Sequence, residues 1–121
     1  TDWVILDNHY HLMVKSKHGF DLPKLMGRIH RKSARLIKGR NGFACTRFWW
    51  NYWGRCIRDE KDYYVRLNYL YFNPIKHGYV TDLKKYQWSS FHDALATRGR
   101  ETLVQQYRKY SFDYLEIPDD F

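Results

Sequence analysis

The chain has 121 residues, enough for one domain with one real core. Its 21 Lys and Arg against 13 Asp and Glu give a formal charge of +8, which suits a polyanionic partner, nucleic acid before an anionic membrane. No apolar run approaches the roughly 20 residues of a membrane span, no signal-peptide pattern is visible, and Cys45 and Cys56 are too few for a disulfide scaffold and lack metal-ligand spacing. The cysteines read as reduced thiols of a cytoplasmic protein, with a single bridge left open. Aromatic residues make up 19% of the chain, more than a core of this size needs. Exposed aromatics beside cations are what unpaired bases stack on.

In chain order, "WVIL", Trp3 to Leu6, predicts a strand, and Asp7–Asn8 a turn or bulge. "HLMVK", His11 to Lys15, predicts a second extended stretch. Strand side chains alternate, so His9, His11 and Met13 share one face. After the loop "SKHGF", Asp21 predicts a helix cap with Pro23 in the first turn, and the helix is expected to run to about Lys38 and stop at Gly39 to Gly42. Leu22, Leu25, Met26, Ile29, Leu36 and Ile37 mark its buried side. Lys24, Arg28, Arg31, Lys32, Arg35 and Lys38 recur at three- and four-residue steps as a basic stripe with no acid among them. The stripe reads as a phosphate-contacting face, and the competing reading is an ordinary solvated one.

"FWWNYWGRCI", Phe48 to Ile57, predicts a strand or hairpin bent at Gly54. Its aromatics, Phe48, Trp49, Trp50, Tyr52 and Trp53, either fill a core or stack on bases. Asp59 predicts the next N-cap, with Asp62 three residues on. That helix is expected to end near Asn73, because Pro74 follows, and Gly78 to close the turn. Ser89 predicts the cap of a short helix reaching about Thr97. The remainder, ending in "IPDDF", reads as an appended, partly ordered tail, so the expected division is a domain at 1–97 and a tail at 98–121. There is no internal repeat and no linker-like segment.

Two constellations carry chemistry. His9 and His11 stand roughly 7 Å apart along a strand, and two imidazoles at that spacing can share one divalent cation. The plainer reading is two polar residues on a wet face, but apolar "IL" and "LMV" surround them, and buried imidazoles need partners. Tyr69 and Asn73, in "NYLYFNP", are four apart and meet on one helix face. A tyrosine hydroxyl is a weak nucleophile at neutral pH unless a cation assists, and Asn73 offers an oxygen ligand. The plainer reading is core packing, since Val65, Tyr69 and Phe72 have core-like spacing.

Taken together and in order, "VILDNHYHLMV", "RFWWNYWGRCIRDEKDY", "YLYFNPIKHGYV" and "YQWSSF" resemble the single-tyrosine HUH transposases, most closely the REP-associated tyrosine transposases. The resemblance covers about Trp3 to Leu95. It implies an α+β fold, a ferredoxin-like sandwich of an antiparallel sheet with helices packed on it, here lacking the strand and helix that usually precede the paired histidines. It implies a single-stranded DNA hairpin as substrate and Mg²⁺ or Mn²⁺ as cofactor. By position it makes His9, His11 and Asn73 the metal ligands and Tyr69 the nucleophile, which would leave a 5′-phosphotyrosine and a free 3′-hydroxyl before strand transfer. The basic stripe, Lys24 to Lys38, would track the DNA backbone. Tyr10 stands where the family usually has an aliphatic residue. Tyr71 lies about 200° around the helix from Tyr69, so only one of the two can face the metal. Relatives include domain-exchanging dimers and monomers. The alternative to an enzyme is a catalytically inactive module that binds DNA or RNA hairpins, for which the full set of His9, His11, Tyr69 and Asn73 would be superfluous. A replication initiator or relaxase shares the chemistry, but "NP" and "WSS" argue against it.

Overall fold

The structure, a computed structural model, describes residues 1–19, 21–41, 47–49 and 51–113, with Asn41 described by its backbone alone. Cys45, Trp50, Gly42 and residues 114–121, with the closing "IPDDF", lie outside the described residues. The chain divides into two compact units: Thr1–Val14 with Ile57–Phe121, and Lys15–Cys56.

The first unit is α+β. Strands β1 (Asp2–Ile5) and β2 (Tyr10–Met13) pair antiparallel around the turn at Asp7 and Asn8, with Val4 opposite His11 and Asp2 opposite Met13. Both strands begin one residue earlier than the apolar pattern predicts. The far side of β1 is also occupied: Ile5 N–H donates to the Trp88 carbonyl, and Ser90 N–H donates to the Trp3 carbonyl, each at 2.9 Å. Helix α2 (Glu60–Lys76) covers the sheet. Val4, Leu6, Leu67, Leu70, Tyr71, Ala94 and Leu103 form the core between the strands, α2, α3 (Phe91–Arg98) and α4 (Arg100–Lys109).

Helix α2 starts where expected. The Asp59 carboxylate accepts from Asp62 N–H at 2.8 Å, satisfying one of the amides that a helix start leaves open. Its end differs from expectation. The helix runs through Pro74 to Lys76: the proline forfeits one backbone bond, the one to the Leu70 carbonyl, and its ring crowds only that preceding turn. Asn73 therefore keeps helical geometry. His77 N–H then bonds the Asn73 carbonyl, Tyr79 N–H bonds the Pro74 carbonyl, and Gly78, at φ +75°, turns the chain.

The cap of α3 falls on Ser90 rather than Ser89, whose hydroxyl instead accepts from Phe91 N–H at 3.1 Å. Ser90 Oγ is already engaged as acceptor for Trp3 N–H at 2.9 Å. The stretch read as a tail carries α4, fastened to α2 through buried amides. Asn68 Nδ2 donates to the carbonyls of Gln106 and Tyr110, and Gln106 Nε2 donates back to Asn68 Oδ1 at 2.8 Å. A periodic apolar stripe is weak in α4, where only Leu103 and Gln106 are buried, so apolar spacing carries little sign of a packed helix.

The second unit holds α1 (Asp21–Asn41), which begins at Asp21 itself and continues past Lys38 through Gly39 and Arg40. A glycine late in a helix costs about 1 kcal/mol against alanine, too little to stop it. Of the side expected to be buried, Met26 is enclosed, whereas Leu36 is exposed. The expected strand or hairpin at Phe48 to Ile57 is absent among the described residues, which run as irregular backbone. β-prone residues form a strand only with a partner edge, and here Trp49 and Tyr52 meet His30 of α1 instead, while Trp53 is exposed. The Trp49 indole N–H donates to Ser33 Oγ at 2.8 Å, and its ring stacks on His30, 4.9 Å between centroids.

Candidate active site

The β1–β2 register decides where the histidines go. Val4, fully buried under α2, faces His11 across the pair, so His11 lies on the helix-covered side of the sheet. His9 sits at the mouth of the hairpin, where Leu6 N–H donates to its carbonyl at 2.8 Å, and its side chain is buried. The two imidazoles meet edge to face at 5.2 Å, and His77, just past the end of α2, meets His9 at the same separation. Asn8 Oδ1 lies 2.7 Å from His9 Nδ1. An acceptor there keeps the proton on Nδ1 and leaves the lone pair on Nε2.

Helix α2 supplies the other side. Tyr69 is 4% exposed, and its ring stands edge to face against His11 at 5.6 Å. Asn73, one turn later, is fully buried, with Nδ2 reaching back toward the Tyr69 carbonyl at 3.4 Å. His9, His11 and Tyr69 thus meet in one chain of ring contacts, with Asn73 one turn along α2 from Tyr69, although the histidines and the helix residues are about 60 residues apart in sequence. The Nε2 atoms of His9 and His11 and Oδ1 of Asn73 are each buried, and the amide oxygen makes no hydrogen bond among the described residues. No group of three or more His, Cys, Asp or Glu side chains gathers as a metal site among the described residues. Two nitrogens and one amide oxygen are the donors on offer.

Lys76 and His77, which in the sequence read either as phosphate contacts or as ordinary surface, and Phe112, which the sequence did not single out, complete the surroundings of the site. Lys76 Nζ donates to the Tyr69 hydroxyl at 2.9 Å and lies 4.7 Å from the ring centroid. Phe112, after α4, meets the ring edge to face at 5.8 Å. His77 belongs to the histidine cluster and not to the open surface alone. Lys76 had a signal: seven residues on, a helix has turned to within about 20° of the same face.

Two curated proteins are similar to this chain. A provisionally named REP-associated tyrosine transposase of Haemophilus influenzae is 31% identical, over 73% of this chain and 56% of its own length. A REP-associated tyrosine transposase of Escherichia coli is 32% identical, over 78% of this chain and 54% of its own. The chain is related to the tyrosine transposases. It spans about half the length of the curated relatives it matches. No family model matches the chain, and no solved structure matches it.

For a relative of tyrosine transposases, α2 presents a choice of tyrosines, and their environments separate them. Tyr71 points to the opposite side of the helix, where its hydroxyl donates to Asp2 Oδ1 at 2.6 Å. Burial, then that carboxylate, pushes the Tyr71 phenol far above its ordinary value and holds it protonated. Tyr69 instead meets a histidine and an ammonium. Tyr63 is 36% exposed, its phenol also pushed up by partial burial, while Tyr64 stacks on Tyr110 at 4.9 Å.

The basic stripe lies in the other unit. Lys24, Arg28, Arg31, Lys32 and Arg35 are exposed along α1, and Lys38 is half-buried. The charge of the chain is concentrated there. Lys15–Cys56 holds 11 Lys and Arg against Asp21 as its one acid, a formal +10, which leaves −2 for the rest. No helix among the described residues is long and apolar enough to cross a membrane.

Proposed function

We propose that the chain is the catalytic part of a metal-dependent transposase acting on single-stranded DNA near a hairpin. The observation that carries this reading is the meeting of His9 and His11 with one tyrosine, Tyr69, that has a cationic neighbour and has Asn73 one helical turn on. The Tyr69 oxygen attacks a phosphodiester and forms the new bond to phosphorus. The bond to the 3′ oxygen breaks, and that oxygen leaves with the electron pair and takes a proton from water, while the phenol proton passes to water. A 5′-phosphotyrosine and a free 3′-hydroxyl result. Strand transfer is the reverse displacement by a second 3′-hydroxyl, so the bond energy is conserved and no nucleotide cofactor is required.

His9 and His11 through Nε2, and Asn73 through Oδ1, are the residues that would hold Mg²⁺ or Mn²⁺. Imidazole donors favour Mn²⁺ over Mg²⁺. When bound, the cation supplies positive charge at the scissile phosphate and the leaving oxygen. Asn8 orients His9, and the Asn73 amide is set by its place in α2. The stripe Lys24, Arg28, Arg31, Lys32, Arg35 and Lys38, within a unit of charge +10, would hold the DNA backbone.

The experiment is incubation with labelled single-stranded hairpins and Mn²⁺ or chelator, read on a denaturing gel. A covalent adduct that needs metal and vanishes in Tyr69→Phe is expected. Tight hairpin binding with no adduct under any metal would instead support the inactive binding module, a reading favoured by the +10 unit, whose charge requires no catalysis.

A further inference from the structure

We propose that Lys76 is a further catalytic residue, the group that holds the Tyr69 oxygen both when it attacks and when it leaves. This rests on Tyr69 being the nucleophile. The geometry is specific. Lys76 Nζ lies 2.9 Å from Tyr69 Oη, within reach of a charge-assisted hydrogen bond, and 4.7 Å from the ring centroid. Side chains on a helix lean toward its N-terminus, so a long residue in the last turn of α2 reaches back along the face that carries Tyr69. The ring is held by His11 at 5.6 Å and Phe112 at 5.8 Å, which restricts where the hydroxyl can go. An ammonium donates and cannot accept. It therefore occupies a lone pair of Oη, and the phenol hydrogen must point elsewhere.

The consequence differs for the two half-reactions. In cleavage, the donor fixes the attacking oxygen and directs its remaining lone pair. In strand transfer, the bond from phosphorus to Oη breaks and the electron pair returns to the phenol oxygen. A positive donor already aimed at that oxygen stabilises the charge as it develops. Lysine in the last turn of a helix also complements the helix dipole, and that plain structural role is what the test must separate.

The test compares the wild type with Lys76→Met, which keeps the length of the stem and removes the charge, and with Lys76→Arg. Single-turnover cleavage and rejoining from the isolated adduct are measured at saturating Mn²⁺ and hairpin DNA. About 100-fold slower rejoining is expected in Lys76→Met, the scale of losing one preorganised donor, with partial recovery in Lys76→Arg. Incorporating a fluorinated tyrosine at position 69, whose phenol leaves more readily, is expected to restore rejoining in Lys76→Met more than it speeds the wild type. A second readout needs no activity: the side-chain ammonium signal of Lys76 in NMR of the metal-free protein is expected to shift in Tyr69→Phe.

Wild-type rates in Lys76→Met alongside a Tyr69-dependent adduct would overturn the role of Lys76 and leave the transposase reading standing. So would an equal slowing that the fluorinated tyrosine does not relieve, since that is the mark of a structural role. No adduct from the wild type, or one that survives Tyr69→Phe, would overturn the underlying reading and this proposal with it.

Discussion

Two tyrosines two positions apart on α2 have opposite surroundings. Tyr71 Oη is tied to a carboxylate at 2.6 Å and buried, so it is held as a neutral donor and contributes to stability. Tyr71→Phe is therefore expected to leave adduct formation intact and to lower stability by about 1–2 kcal/mol, read as a shift in the urea midpoint at constant slope. The choice between the two was legible in the sequence as a difference in direction of about 200°. Which direction faces the histidines was not, because that depends on the β1–β2 register and on which side of the sheet α2 covers. Lys76 was legible only as a residue on nearly the same helix face as Tyr69: a lysine at a helix end is ordinarily a solvated one, and their hydrogen bond is visible only in the structure.

At the scale of elements, the α2–α4 junction is a closed exchange between two amides. Asn68 and Gln106 bond each other, Asn68 also serves the carbonyls of Gln106 and Tyr110, and Arg98 Nη2 donates to Gln106 Oε1 at 2.6 Å. Gln106→Leu keeps the volume but leaves Asn68 Oδ1 buried without its donor, an expected loss of about 1–3 kcal/mol by chemical denaturation. The double change with Asn68→Leu should cost less than the two single losses combined, since the two amides then no longer strand each other, although the Gln106 and Tyr110 carbonyls and Arg98 still lose a partner. The sequence announced α2 clearly through Asp59 and its spacing to Asp62. It understated α4, whose fastening is polar, and it overstated the 48–57 stretch, where β-prone residues met a helix rather than a strand edge. Pro74 misled the other way, since one missing amide in the last turn does not end a helix.

Across the whole molecule, charge and chemistry are divided. The unit Lys15–Cys56 carries +10, and the candidate site belongs to the other unit. Binding to single-stranded DNA should weaken with salt along a straight line in log–log form. Replacing Arg28, Arg31 and Lys32 together by Gln is expected to reduce the slope by about 0.7 for each phosphate that the protein no longer neutralises, without changing which hairpin is preferred. The same unit should be acid-sensitive. Burial pushes the His30 imidazole, stacked on Trp49, below its ordinary value. A base that the folded state keeps neutral takes up its proton on unfolding, so stability is lost as pH falls below about 6.5, the unfolded histidine value. A urea series between about pH 8 and about pH 5 should show a larger acid loss in the wild type than in His30→Gln.

Tyr69 is almost wholly enclosed, with an imidazole, a phenylalanine and an ammonium around one ring. Any DNA end bonded to such a side chain is kept in custody. A 5′ end bonded there could not swing out into solvent on a flexible arm. In the proposed reaction the severed strand would be released only by a displacement at phosphorus, since unfolding leaves the phosphotyrosine bond intact. A cut made in the proposed way would leave its 5′ end held by α2 rather than free in solution.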